Sequence, residues 1–196
     1  MKINLRYIQK TILLISILIS SLYTSAQWTN INTLDIERYE DLSFPSEQVG
    51  YSIVKSWFIN SIYKTNDAGI SWESITIDIS PLTSPSFQSI DFDDDNIGYV
   101  LFRANDSQFQ LGSYIFKTID GGTNWNNITP STLPIGSGYA DIHFVSALEG
   151  YATCGALIFK TIDGGINWIS SSVNSSFFPV EIDFFDTNNG IVGAAD

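Results

Sequence analysis

One nine-residue string occurs three times in this chain, and no other feature restricts its fold as much. Lys117-Thr118-Ile119-Asp120-Gly121-Gly122-Thr123-Asn124-Trp125 is preceded by Lys64-Thr65-Asn66-Asp67-Ala68-Gly69-Ile70-Ser71-Trp72 and followed by Lys160-Thr161-Ile162-Asp163-Gly164-Gly165-Ile166-Asn167-Trp168. Thr, Asp, Gly and Trp keep their spacing while the positions between them drift, which marks a repeat architecture. A second pattern recurs in step: an aliphatic residue, a Phe two positions on and a Gly six further. It stands at Leu42/Phe44/Gly50, Ile90/Phe92/Gly98, Ile142/Phe144/Gly150 and Ile182/Phe184/Gly190, followed by Tyr51, Tyr99, Tyr151 and Ile191.

Each repeat predicts four strands. The alternation up to the Phe reads as a first strand, the polar stretch ending in Gly as a turn, and the aromatic or β-branched residues after it as a second strand. Ile62-Tyr63-Lys64-Thr65, Ile115-Phe116-Lys117-Thr118 and Ile158-Phe159-Lys160-Thr161 read as third strands with large apolar residues on both faces. Such strands need a sheet stacked between neighbours, with the Lys ammonium extending to the edge. The Asp-Gly turn leads into a fourth strand starting at Trp. Trp72, Trp125 and Trp168 lie 53 and 43 residues apart, close to the roughly forty to fifty residues of a propeller blade.

The predicted fold is therefore all-β, a β-propeller of four-stranded antiparallel blades. The connection between second and third strands is predicted longest over Arg103 to Gly112 and nearly absent at Gly155-Ala156, while Ser80 to Phe87 and Pro130 to Gly138 join one blade to the next. Three complete units and the hairpin of a fourth make about three to three and a half blades, an incomplete ring, since closed propellers have roughly four to eight. The expectation is a piece of a longer propeller. Trp28-Thr29-Asn30-Ile31, which resembles the strand after an Asp-Gly turn, would complete the last blade of a closed ring.

Residues 1-26 read as a secretory signal: Lys2, Arg6 and Lys10 precede an apolar run from Thr11 to Tyr23, and Thr24-Ser25-Ala26 offers a small-residue cleavage site. The run is too short to span a bilayer. The mature chain is predicted to be 27-196, secreted or at the cell surface and not membrane-embedded. Losing those three cations takes the formal charge from -12 to -15. An acidic surface of that size excludes nucleic acid and anionic lipid, both of which need a basic patch. Cys154 is the single cysteine, so stability must come from packing; its apolar, strand-like setting predicts a buried inert thiol.

The repeated turn has a mechanical reading. The Asp carboxylate accepts backbone N–H groups, the Gly supplies positive φ, the Thr hydroxyl adds a local bond, and the Trp buries its ring with its N–H available to a partner. At these residues the chain resembles the Asp-box (BNR) repeat families found in sialidases, sortilin-type receptors and proteins like the photosystem II stability/assembly factor. The resemblance rests on Thr65/Asp67/Gly69/Trp72, Thr118/Asp120/Gly122/Trp125 and Thr161/Asp163/Gly165/Trp168. It implies that these twelve are structural Asp-box residues between the third and fourth strands, away from any active site.

Sialidase chemistry needs three arginines around the substrate carboxylate, and residues 27-196 hold only Arg38 and Arg103; the family's Arg-Ile-Pro signature is absent too. A glycosidase using two carboxylates remains open, with Asp91, Asp93, Asp94, Asp95, Glu149, Glu181 and Asp183 as acids among which no pair stands out. The assembly factor's basic interaction surface has no counterpart in this acidic chain, so its partner is not carried over.

Asp91 to Gly98 fails as an EF-hand, because Asn96 and Phe102 stand where Gly and Glu are required. It reads as an Asp/Asn-rich hairpin turn, with a weak surface Ca²⁺ site as the residual hypothesis. His143 has no second His or Cys ligand nearby and reads as a packed or surface residue. Trp57 and Phe58 fall outside the repeat, in a connection where they either cover a blade edge or meet a partner. The sequence thus predicts an exported, non-catalytic propeller that binds or scaffolds a protein or glycan, with no catalytic, cofactor or metal residues assigned. The alternative is a glycoside hydrolase with part of its site outside this chain.

Overall fold

Every described strand belongs to an antiparallel meander, because each hairpin signal is followed by another within a few residues. The computed structural model describes residues 38-55, 60-133, 141-173, 178-186 and 188-195, all within the unit Asn32–Asp196. Blade I comprises β1 (Arg38–Ser43), β2 (Gly50–Lys55), β3 (Asn60–Thr65) and β4 (Glu73–Ile75). Blade II comprises β5 (Thr83–Phe92), β6 (Gly98–Asn105), β7 (Leu111–Thr118) and β8 (Asn126–Asn127). Blade III comprises β9 (Ile142–Phe144), β10 (Gly150–Cys154), β11 (Leu157–Thr161) and β12 (Ile169–Ser172). The hairpin β13 (Phe178–Asp186) and β14 (Asn189–Ala195) opens blade IV. Within each four-stranded sheet the strands lie in chain order.

Blade II shows why an inner strand of a blade needs neighbours on both sides. From β6, Val100 and Phe102 join Tyr51, Ile53 and Ile62 of blade I in one buried cluster. Tyr99 and Leu101, pointing the other way, join Ile142, Phe144, Ala152, Cys154 and Phe159 of blade III in a second. A strand whose alternate residues enter two different cores has no solvent face left. Cys154 is buried there, its Sγ 3.7 Å from Ser113 Oγ.

Several boundaries differ from the sequence reading. Arg103 to Asn105 and Leu111 to Gly112 are strand, so the long connection shrinks to Asp106 to Gln110 and the extra residues lengthen the β6–β7 hairpin. Thr83 to Phe87 likewise belong to β5 rather than to the linker after Ser80. The fourth strands start one residue beyond Trp.

The glycines that open the second strands serve packing more than turning. Gly50, Gly98 and Gly150 open the second strands without positive φ, and a Cβ on each would overlap the ring of Phe44, Phe92 or Phe144. That missing Cβ lets Phe92 and Phe144 lie flat against Tyr51 and Tyr99 of the preceding blades, at 3.4 Å between ring centres. Trp28, Trp57 and Phe58 lie outside the described residues.

Candidate functional site

The twelve repeated residues form three superimposable turns. Thr65 Oγ1 accepts the Gly69 N–H at 2.9 Å and donates to Asp67 Oδ1 at 2.8 Å, and Asp67 Oδ1 also accepts the Ser71 N–H. Thr118/Asp120/Gly122 and Thr161/Asp163/Gly165 repeat these bonds, with Asn124 and Asn167 in the place of Ser71. Gly69, Gly122 and Gly165 have φ near +90° (86°, 89° and 91°), which a side chain would strain. Each Trp donates its indole N–H to that same glycine's carbonyl and sets its ring edge-on against the first-strand Phe. Hydrogen bonds from Asn or Ser hold the carboxyls of Asp67, Asp120 and Asp163 below the usual carboxylate range.

The third-strand lysines extend to the sheet edge, and those of blades I and II go on to the next blade. Lys64 Nζ crosses to blade II and donates to Gly121 O at 3.0 Å, and Lys117 Nζ crosses to blade III and donates to Gly164 O at 3.0 Å. On the way they lie over the rings of Tyr51 and Tyr99 at 5.2 and 5.1 Å. In blade III, Lys160 and the Tyr151 hydroxyl both turn to Glu149 of their own blade.

A cavity of about 380 Å³ lies where the first strands of all four blades converge, lined by residues 40-43, 88-91, 141-143 and 180-183. First strands are sheet edges, with N–H groups that no strand pairs. The preceding blade supplies the acceptors. Asp41 Oδ2 takes the Ile90 N–H, Ser89 Oγ the Ile142 N–H and Asp141 Oδ2 the Ile182 N–H. These three stand one residue before the repeat's aliphatic position. One residue after it, Ser43 Oγ takes the Phe92 N–H and Asp91 Oδ2 the Phe144 N–H. His143 is the next member of that series and departs from it: its ring stacks on Phe184, its Nδ1 lies 4.0 Å from Asp183 Oδ1, and the Phe184 N–H turns to Asp183 itself.

Burial raises the Asp41 carboxyl and pushes that of Asp91 up to about 6, helped by the charge of Asp141 on both and of Asp41 on Asp91. Of the acids singled out in sequence, Asp91, Glu181 and Asp183 meet at this cavity. Glu149 sits in the β9–β10 turn against Lys160 at 2.6 Å. Asp94 caps the β5–β6 turn by accepting the Asn96 and Ile97 N–H groups. Asp41 and Asp141 escaped notice, although aligning the residues flanking each repeated aliphatic position reveals them as blade equivalents. Among the described residues, no group of three or more His, Cys, Asp and Glu is placed to hold a metal ion.

No protein-family model matches the chain, and neither does any curated protein. Among solved structures it is similar to the GH74 enzyme of Niastella koreensis, at 17% identity and a TM-score of 0.60, over 81% of this chain and 26% of that one. It is also similar to the GH74 xyloglucanase from Xanthomonas campestris, at 17% identity and a TM-score of 0.52, over 74% of this chain and 24% of that one. YCF48 bound to D1 peptide matches at 12% identity and a TM-score of 0.26, over 84% of this chain and 96% of that one. The chain thus spans about a quarter of the length of the GH74 proteins. The first two likenesses, together with the repeated four-stranded sheets around one axis, define the class: this is a β-propeller segment. At 17% identity they define the fold alone.

Proposed function

We propose that the chain belongs to an exported, non-catalytic propeller of Asp-box type that serves as a binding or scaffolding module for a protein or glycan. The observation that supports this most is the use made of the axial acids. Asp41, Asp91 and Asp141 each accept the N–H of the next blade's inner strand, a structural task for the residues a propeller enzyme would need free. Lys2, Arg6 and Lys10 ahead of the apolar run support export, and the acidic charge disfavours nucleic acid. No helix among the described residues is long and apolar enough to cross a membrane.

A second reading, a carbohydrate-active enzyme, draws on the likeness to two GH74 proteins and on Asp91, whose carboxyl at about 6 suits proton transfer in a cavity able to admit part of a sugar. Incubating the full-length protein with xyloglucan separates the two. The binding reading expects no release of reducing ends, whether or not the polysaccharide is retained; release that disappears in Asp91→Asn would overturn it.

A further inference from the structure

The feature the repeat does not explain is the tip of the β6–β7 hairpin. Both strands run eight residues, against five or six in the matching hairpins of blades I and III. The connection is rigidly built. Asp106 Oδ1 accepts the N–H groups of Gln108 and Gln110, Asp106 donates its own N–H to Gln110 O, and Phe109 donates to Asp106 O. Inside it Phe109 has φ +59°, a left-handed backbone in which a bulky residue is strained. The other two non-glycine residues with positive φ among the described residues, Ala68 and Ser84, are small.

Packing does not account for the ring, because Phe109 is 84% exposed. A glycine would relax the turn, and an aromatic residue held out on a fixed loop against its backbone preference points to a contact made outside the chain. Its surroundings indicate which contact. Ser107, Gln108 and Gln110 are exposed and uncharged, and Asp106 Oδ1 is already occupied by backbone donors. A flat ring whose negative face attracts C–H groups, flanked by amides and a hydroxyl that pair with OH groups, suits a sugar ring. The net charge of -12 repels anionic polymers.

We infer that Phe109 is a stacking platform for a neutral polysaccharide, presented by the extended hairpin of blade II. This rests on the binding-module reading above and gives it a ligand class and a residue.

The test measures binding of the full-length protein and its Phe109→Ala, Phe109→Gly and Phe109→Trp variants to cellohexaose, xyloglucan and galactomannan, by titration calorimetry and affinity electrophoresis. The parent is expected to bind at least one. Phe109→Ala and Phe109→Gly should weaken that binding about tenfold, the loss of an aromatic anchor, while Phe109→Trp keeps it. Phe109→Gly should melt no lower than the parent, since glycine is relaxed at that φ, which separates loss of the ring from loss of the loop. Equal affinity in parent and Phe109→Ala would overturn the inference while leaving a glycan-binding module in place. Failure of the parent to bind any of the three would also overturn it, and would confine the module reading to protein partners. Cleavage of a bound glycan, with binding still sensitive to Phe109, would support the platform and sink the non-catalytic reading.

Discussion

The Asp-Gly turns and the axial acceptors both satisfy backbone N–H groups with side-chain oxygens, yet they do so with very different freedom. In the turns the same residue types recur, and the Thr hydroxyl meets the Gly N–H at 2.9, 3.0 and 2.9 Å. Along the axis, Asp41, Ser89 and Asp141 hold equivalent places, as do Ser43 and Asp91, and all five reach the inner strand of the next blade. A turn fixes φ, hydroxyl and carboxylate within five residues, so one residue set answers it. An acceptor crossing between blades has slack enough for Asp or Ser.

The largest effect should come from the rigid partner. Thr118 is fully buried, and its hydroxyl takes the N–H groups of Gly122 and Asp120 and donates to Asp120. Thr118→Val keeps the shape and strands the buried Gly122 N–H, at a cost of about 2–3 kcal/mol. Urea unfolding should show a lower midpoint at an unchanged slope. A loss below about 1 kcal/mol would mean that the turns tolerate substitution as the axis does.

This contrast accounts for what could be read in the sequence. The turns advertise themselves because chemistry forbids variation, so Thr65 to Trp72 and its two copies yielded the blade, the strand order and the propeller. The axis stayed hidden because Asp41, Ser89 and Asp141 share a task but not an identity. His143 breaks the second series, so nothing drew these residues together before the blades were in place. The non-repeating chemistry lies on first strands whose backbone repeats faithfully.

The two regions also titrate in opposite senses. Burial lifts Asp91 from an ordinary 3.8 to about 6 and raises Asp41, so the folded chain holds these protons more tightly than the unfolded one. Their contribution favours folding at low pH and is lost as pH rises through about 6. The turn carboxylates Asp67, Asp120 and Asp163 are lowered, so their contribution is present above the ordinary value and lost as pH falls through their folded ones. Thermal melts should therefore rise as pH falls from about 6.5 to about 4 and drop at lower pH. Asp91→Asn should flatten the upper limb, a change on the order of 1–3 kcal/mol. A rise that survives in Asp91→Asn would place its source elsewhere.

A smaller effect should separate the two kinds of lysine. Lys117 joins blades II and III through Gly164 O and the Tyr99 ring, and burial lowers its ammonium below the ordinary range. Lys117→Met removes the hydrogen bond and the ring contact while keeping the apolar stem, and should cost about 1 kcal/mol in urea. Lys160, turned to Glu149 within its own blade, should matter less. Equal losses would show that crossing between blades adds nothing.

The smallest expected effect is the most exacting for the comparison. Asp41 takes the Ile90 N–H and its neighbour Leu42 N–H, both at 2.7 Å, with a carboxyl that burial already disfavours in its charged form. A serine there loses the charge-assisted bond and also removes a desolvated charge close to Asp91 and Asp141, and these changes oppose one another. Ser43 and Ser89 show that a hydroxyl in this geometry reaches the next strand at 3.0 and 3.3 Å. Asp41→Ser should therefore stay within about 0.5 kcal/mol of the parent, while Asp41→Ala, with the inner-edge N–H unpaired, should lose about 1–2 kcal/mol. If serine proves as damaging as alanine, the axis is as residue-specific as the turns, and the drift from Asp41 to Ser89 must be balanced by a second change, for which the Ser89 hydroxyl bonded to Asp141 at 2.6 Å is the first place to look.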